Sequence, residues 1–207
     1  MEVLLSHTYF PSIATFILLA KSEKVWFEFH DNYEKQTYRN RAYIFGANGK
    51  QPLSIPINYT QKNRQLYRDV KISHITPWQN THKKSIESAY RSSPFFEFYE
   101  DELIPLFTKK TKFLMDHNIH CFDLICDCLG LELNIKNTLV YEKEPKNILD
   151  FRKLSQIQTE ISPFETYTQV FSEKHGYINN LSILDLLFNE GPNSLNYLNS
   201  QVIPKIV

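Results

Sequence analysis

The sequence predicts an α/β fold in a single domain, residues 1–207, with a small mixed sheet in the N-terminal half and a predominantly helical C-terminal half. Three observations predict it. A short apolar run, a Pro-led helical pattern and an aromatic-rich run follow one another between Val3 and Phe29. Two extended runs flank Asn48-Gly49, and from Pro77 onward apolar residues recur with helical spacing.

Val3 to Ser6 reads as a strand ending at His7-Thr8-Tyr9-Phe10-Pro11, and Pro11 or Ser12 opens a helix through Ala20. Val25 to Phe29 suits a second strand, parallel to the first if that helix is a crossover. Tyr38 to Phe45 and Pro52 to Ile57 read as a hairpin, with Asn48-Gly49 supplying the positive φ angles of a tight turn. Pro52 and Pro56 lack ladder donors, which marks the second strand as an edge. Val70 to Ser73 adds a short strand. Trp78, His82, Ile86 and Ala89 or Tyr90 then share one helix face. A helix from Ser93 or Pro94 to Phe107 follows, and a third from Lys110 to Leu129 stops at Gly130. Thr138 to Tyr141 reads as a returning strand, and the polar stretch up to Ile161 as a mobile or linking segment. Ser182 caps a short helix of Ile183 to Asn189, with Asp185 as a capping-box variant, and Ser194 to Leu198 adds one more turn.

The composition is that of an ordinary globular chain, 42% hydrophobic and 14% aromatic, which excludes disordered and fibrous classes. Lys and Arg number 23 and Asp and Glu number 23, so no net basic field draws in nucleic acid. The longest apolar stretch, Ile13 to Ala20, is far short of the roughly 20 residues that span a bilayer. No secretory signal is legible at Met1-Glu2, and Cys121, Cys126 and Cys128 make a poor disulfide framework. The expected compartment is therefore the cytoplasm.

Phosphate loops, nucleophile elbows, dinucleotide fingerprints and zinc-protease motifs are missing, so motifs name no reaction and no cofactor. What remains is constellations. Strand alternation places Arg39 and Arg41 side by side, where paired guanidinium forks suit a carboxylate or phosphate; the alternative is two solvated arginines. Asn40 shares the other face with Ala42 and Ile44, and a buried amide there needs hydrogen-bond partners. His82 lies on the stripe with Trp78 and Ile86, facing the body of the protein, where an imidazole serves as general base or as a bonded core residue. His117 and Cys121 stand four apart on a helix, but Cys126 falls on the apolar stripe and no metal site is expected. Lys109, Lys110 and Lys112 read as a solvated helix start.

Several segments together resemble the WbqC-like proteins. Ser6-His7-Thr8-Tyr9-Phe10-Pro11 is similar to the family's opening Y-F-P segment, and Lys35-Gln36-Thr37-Tyr38-Arg39-Asn40-Arg41 to its N-R segment. Trp78 through His82 to Ala89-Tyr90 and Ser93-Pro94-Phe95-Phe96 resembles its W…H…AY…SPFF stretch, and Leu181 to Pro192 its closing segment. At His7-Thr8 the chain departs from the pattern, so the resemblance carries no role to His7. The family is known mainly from gene clusters for O-antigen and other surface polysaccharides. The resemblance therefore implies a context more than a reaction; polar residues recurring on faces that packing would fill with apolar ones add the expectation of a transferase acting on an activated sugar or surface-polysaccharide precursor, by acyl or aminoacyl transfer. In that reading His82 takes a proton with Tyr90 assisting, while Tyr9, Lys35, Arg39, Asn40 and Arg41 hold substrate. The alternative is a non-catalytic protein that binds a glycan or a partner, which the 12 Tyr and 15 Phe would suit.

Overall fold

The structure, a computed structural model, describes residues 1–58 and 65–206. In chain order its elements are β1 (Glu2–Leu5), α1 (Ile13–Ala20), β2 (Lys24–Phe27), β3 (Arg41–Gly46), β4 (Gly49–Ser54), β5 (Ile57–Asn58), β6 (Lys71–Ile72), α2 (Trp78–Tyr90), α3 (Phe96–Thr108), α4 (Leu114–Leu129), β7 (Ile135–Asn137), β8 (Leu149–Asp150), α5 (Ser172–His175), α6 (Ile183–Glu190) and α7 (Ser194–Ser200). The class is α/β.

β1 and β2 pair in parallel around α1, as the crossover reading expects, with Val3 opposite Val25 and Leu5 opposite Phe27. The sheet then recruits two strands from beyond Gly130, giving a parallel order β7-β2-β1-β8. Alternation sends Val3, Leu5, Val25 and Phe27 into the main core. Leu4 and Trp26 point to the opposite face, under the segment from Thr138 to Ile148. Helix α1 is apolar all round, and Ile13 through Leu19 are buried. Its start is tied to that of α6 by Ile13 N donating to Leu181 O (3.0 Å) and Ile183 N to Pro11 O (2.9 Å). One hydrophobic cluster runs from Val3 to Leu198. Among the described residues, no helix is long and apolar enough to cross a membrane.

The structure departs from the sequence reading in instructive places. The hairpin forms, but β3 begins at Arg41 rather than Tyr38, and Ala47-Asn48 span the turn between the paired Gly46 and Gly49. Only Gly49 has positive φ (98°), the sign pattern of a type I turn followed by a left-handed glycine. The strand expected at Thr138 to Tyr141 lies earlier, at Ile135–Asn137, because pairing with Val25 to Phe27 sets the register. Leu139 is left 90% exposed. Helix α4 starts at Leu114 rather than Lys110, because the chain before it is extended and bonded to β6: Ile72 N donates to Lys112 O and Leu114 N to Val70 O. The three lysines thus lie on a loop. Ser182 does cap α6, accepting from Leu184 N at 3.3 Å, but Asp185 takes no part in a capping box. Its carboxylate is buried and accepts from Tyr90 Oη (2.8 Å), Tyr167 Oη (2.5 Å) and Gln169 Nε2 (2.8 Å).

Candidate functional site

Ligands of parallel sheets collect beyond the carboxyl ends of the strands. Here β1 leaves the sheet through Ser6 to Pro11, all buried. Phe10 has φ of 37°, a left-handed conformation that costs a bulky residue about 1–3 kcal/mol. Its neighbours hold it there: Tyr9 N donates to Tyr38 O at 2.9 Å, and the Phe10 ring packs between Tyr9 and Phe107.

The loop carries Tyr9 onto α2, where its hydroxyl is hydrogen-bonded to His82 Nδ1 at 2.9 Å. The Ser54 backbone favours the protonated form of the same ring. Trp78 stands edge-on to both His82 (5.1 Å between ring centroids) and His117 of α4 (5.3 Å), and His117 also faces Tyr9 (5.8 Å). Burial, opposed in part by the Ser54 bond, lowers the His82 pKa to about 4. Burial, and then the neighbouring His120, His82 and His74, lower that of His117 to about 4. Both rings are therefore neutral near pH 7, as proton acceptors must be. Burial raises the Cys121 thiol, which lies 3.6 Å from His117 Nε2, so it is no thiolate nucleophile.

A second network adjoins the first through α4. Asn118 Nδ2 donates to Arg39 O (2.6 Å) and to Tyr67 Oη (2.5 Å), and Tyr67 Oη donates to His7 O (3.0 Å). The Arg39 guanidinium lies over the Tyr67 ring and is ion-paired with buried Asp31. Burial raises the Asp31 carboxyl, with Arg39 opposing the shift. In these two networks Ser6 Oγ, His7 Nδ1, Asp31 Oδ1, Arg39 Nε, Trp78 Nε1 and Asn118 Oδ1 are buried without a hydrogen-bond partner. Nowhere else among the described residues do two such atoms come together. Folded proteins pair nearly all such groups with protein, water or ligand.

A cavity of about 540 Å³ between α3 and α4 meets this centre at His117 alone. Its lining includes His117, His120, Asp123, Lys109, Lys110 and Lys112, but none of His82, Arg39 or Arg41. Among the described residues, no group of three or more His, Cys, Asp or Glu side chains is arranged to hold a metal ion.

The residues singled out from sequence separate accordingly. Tyr9, His82 and Arg39 enter the centre. Arg39 does not pair with Arg41 on a strand face, because it lies before β3 and turns inward to Asp31. Arg41 instead donates from Nε to Ser54 Oγ at 3.2 Å on the exposed side. Asn40 bridges Tyr33 Oη and Ile55 O, both at 3.0 Å, and Lys35 is exposed beside Gln36, whose φ is 56°. Tyr90 lies eight residues after His82, about 12 Å along the helix at 1.5 Å per residue. There it accepts from Phe45 N (3.0 Å) and donates to Asp185. Sequence reasoning missed Asp31, Tyr67, Asn118 and the position of His117. The signal available was His117-Asn118 between Leu114-Met115 and Cys121-Phe122, polar residues on a face that packing otherwise fills with apolar ones.

The model of the WbqC-like protein family matches residues 7–163, a span that includes Tyr9, Arg39, His82, His117 and Asn118. The chain is 23% identical over 220 residues to the uncharacterized protein Rv1507c of Mycobacterium tuberculosis (strain ATCC 25618 / H37Rv), an alignment covering 92% of this chain and 94% of that protein. No solved structure matches.

Proposed function

The chain belongs to the WbqC-like protein family, and from that premise we propose that it is a transferase acting on an activated sugar or surface-polysaccharide precursor, by acyl or aminoacyl transfer. The observation that carries this reading is the gathering of unpartnered buried polar atoms and neutral imidazoles at the carboxyl end of β1, beside an open cavity. A purely structural core does not accumulate such groups, because each costs about 1–3 kcal/mol of desolvation.

In this mechanism His117, which lines the cavity, takes the proton from an acceptor amine or hydroxyl as its nitrogen or oxygen bonds the acyl carbon. The donor's leaving group departs with the electrons of the broken bond and takes up a proton. Tyr9 and His82 position His117 from behind, through the ring contacts they share with it and Trp78. Tyr90 stands outside the arrangement, tied to Asp185.

The test is incubation of purified protein with amino-bearing nucleotide sugars and acyl thioesters, with products read by mass spectrometry. The wild type should add an acyl mass, and His117→Gln should lower the rate roughly 10²–10⁴-fold with the fold intact. Full turnover by His117→Gln would remove that residue from the chemistry, and an inert wild type across the panel would defeat the transferase reading.

A second reading, glycan or partner binding without chemistry, draws on the other face of the sheet. There Leu4, Trp26, Leu139, Val140 and Ile148 line a cavity of about 380 Å³ together with Glu2 and Glu28. Quenching of tryptophan fluorescence by an oligosaccharide, lost in Trp26→Ala while the transferase assay stays silent, would favour it.

A further inference from the structure

We propose that the groove lined by Lys71, Lys109, Lys110 and Lys112 binds the diphosphate group of a small-molecule ligand. The inference rests on the transferase reading only in making that ligand the activated substrate; the groove is argued from its own geometry.

The chain carries equal numbers of basic and acidic side chains, so a local surplus of one sign is a feature of the fold rather than of composition. The surplus arises where α3 ends at Thr108 and the chain runs extended to α4. Pairing of that stretch with β6, through the Lys71–Phe113 bridge and Ile72 N to Lys112 O, sets Lys71 beside the three later lysines. Two cavities, of about 540 and 280 Å³, adjoin here and share Lys110, Thr111 and Lys112 as walls. Lys109, His117 and His120 complete the first; Lys71 and His74 line the second.

All four lysines are exposed, and among the described residues none makes an ion pair. The carboxylate in the lining is Asp123, raised by its partial burial and held down by His120, and Asp116 stands in the first turn of α4. One carboxylate thus shares the lining with four lysines. Helix α4 is sixteen residues long and begins beside Lys112 with no side-chain cap on its first turn, so its positive end adds to the same field.

The chemistry of the ligand follows from this layout. Lysine ammoniums act on phosphates as separate point charges rather than as planar forks, so affinity depends on how many anionic oxygens fall within reach. Cations spread over two adjoining cavities fit two linked phosphates better than one. The larger cavity, with a volume typical of small-molecule sites, leaves room for the group attached to the diphosphate. Its wall at His117 places that group beside the proton acceptor. This assigns the anionic half of the substrate to the lysines, in place of Arg39 and Arg41.

The test is calorimetric titration of the full chain with inorganic pyrophosphate, inorganic phosphate and a single-stranded oligonucleotide. Pyrophosphate should bind more tightly than phosphate and weaken with added salt. Lys110→Gln/Lys112→Gln should lose roughly tenfold or more in affinity, whereas Lys146→Gln, on the opposite sheet face, should be unchanged. Thermal melts confirm that the exposed substitutions leave the fold intact. Pyrophosphate binding that is absent, or equal in the double variant, overturns the proposal, and preference for the oligonucleotide overturns it in favour of a polymer surface. If pyrophosphate binds as expected while no transfer product forms, the transferase reading fails and the groove stands. If product forms and the double variant keeps its KM, the groove fails and the transferase reading stands.

Discussion

Tyr9 and His82 are 73 residues apart in sequence and share one hydrogen bond inside the protein. That bond and the Arg39–Asp31 ion pair are the two contacts on which the centre turns. An ion pair this deep is a poor source of net stability, because desolvating both charges offsets most of their attraction. Removing one partner is another matter. Arg39→Ala leaves the Asp31 carboxylate buried near the like charges of Glu28 and Glu34, and urea denaturation should show a loss of about 3–5 kcal/mol. A loss below 1 kcal/mol would mean that water reaches Asp31 freely, and the buried-centre description would fall with it.

Among the elements, the tie between α3 and α6 is as specific as any in the site. Gly191 follows α6 with φ of 52°, and a Cβ there would fall inside contact distance of the Phe95 ring. Phe95 in turn donates its N–H to Phe188 O at 3.0 Å and begins α3, whose far end forms a wall of the larger cavity. Gly191→Ala should therefore cost about 1–3 kcal/mol in a thermal or urea melt, from the strained φ and the overpacked ring together. An unchanged midpoint would show that the ring swings clear. Tyr90 belongs to the same scale. Its hydroxyl joins the hairpin, through Phe45 N, to Asp185 of α6, so the residue braces elements around the centre and does not touch the cavity.

For the whole molecule, the buried histidines set the response to pH. Burial lowers His7 to about 3, and burial with neighbouring histidines lowers His117 to about 4; His82 is also lowered to about 4. A folded-state pKa below the ordinary 6.5 means that the unfolded chain binds protons first as pH falls. The stabilisation is complete above pH 6.5 and is lost on acidification towards pH 4 and then 3. Each ring accounts for roughly 2 kcal/mol of that loss by pH 5. Asp31 and Asp185 act in the opposite sense, since burial raises both carboxyls and their ionised forms strain the fold at neutral pH. Between pH 7 and pH 5 proton uptake by the two carboxyls in the folded state offsets part of this loss, and the three imidazoles outnumber them. The urea midpoint should fall between pH 7 and pH 5, and a midpoint that rises would mean that these rings are solvated.

What the sequence alone determined was the local grammar. The α/β class, the β1-α1-β2 crossover, the hairpin, the helices through Trp78 to Leu129 and the Ser182 cap follow from period, Pro and Gly placement, and capping chemistry, all written in neighbouring residues. It also singled out Tyr9, Arg39 and His82, which the fold brings into one region. Tertiary structure decided the rest, because the deciding partners lie far away in sequence. Strands β7 and β8 are too short and exposed to announce themselves, and their register comes from β2 and β1. Arg39 turned from the surface to Asp31, and Tyr90 from chemistry to bracing, once Tyr67, Asn118 and Asp185 were packed against them. The lysines that look like a helix start became the wall of a cavity because β6, some forty residues earlier, took the hydrogen bonds that a helix there would have used. A backbone donor or acceptor bonds once, and which partner takes it is settled by the whole chain rather than by its neighbours.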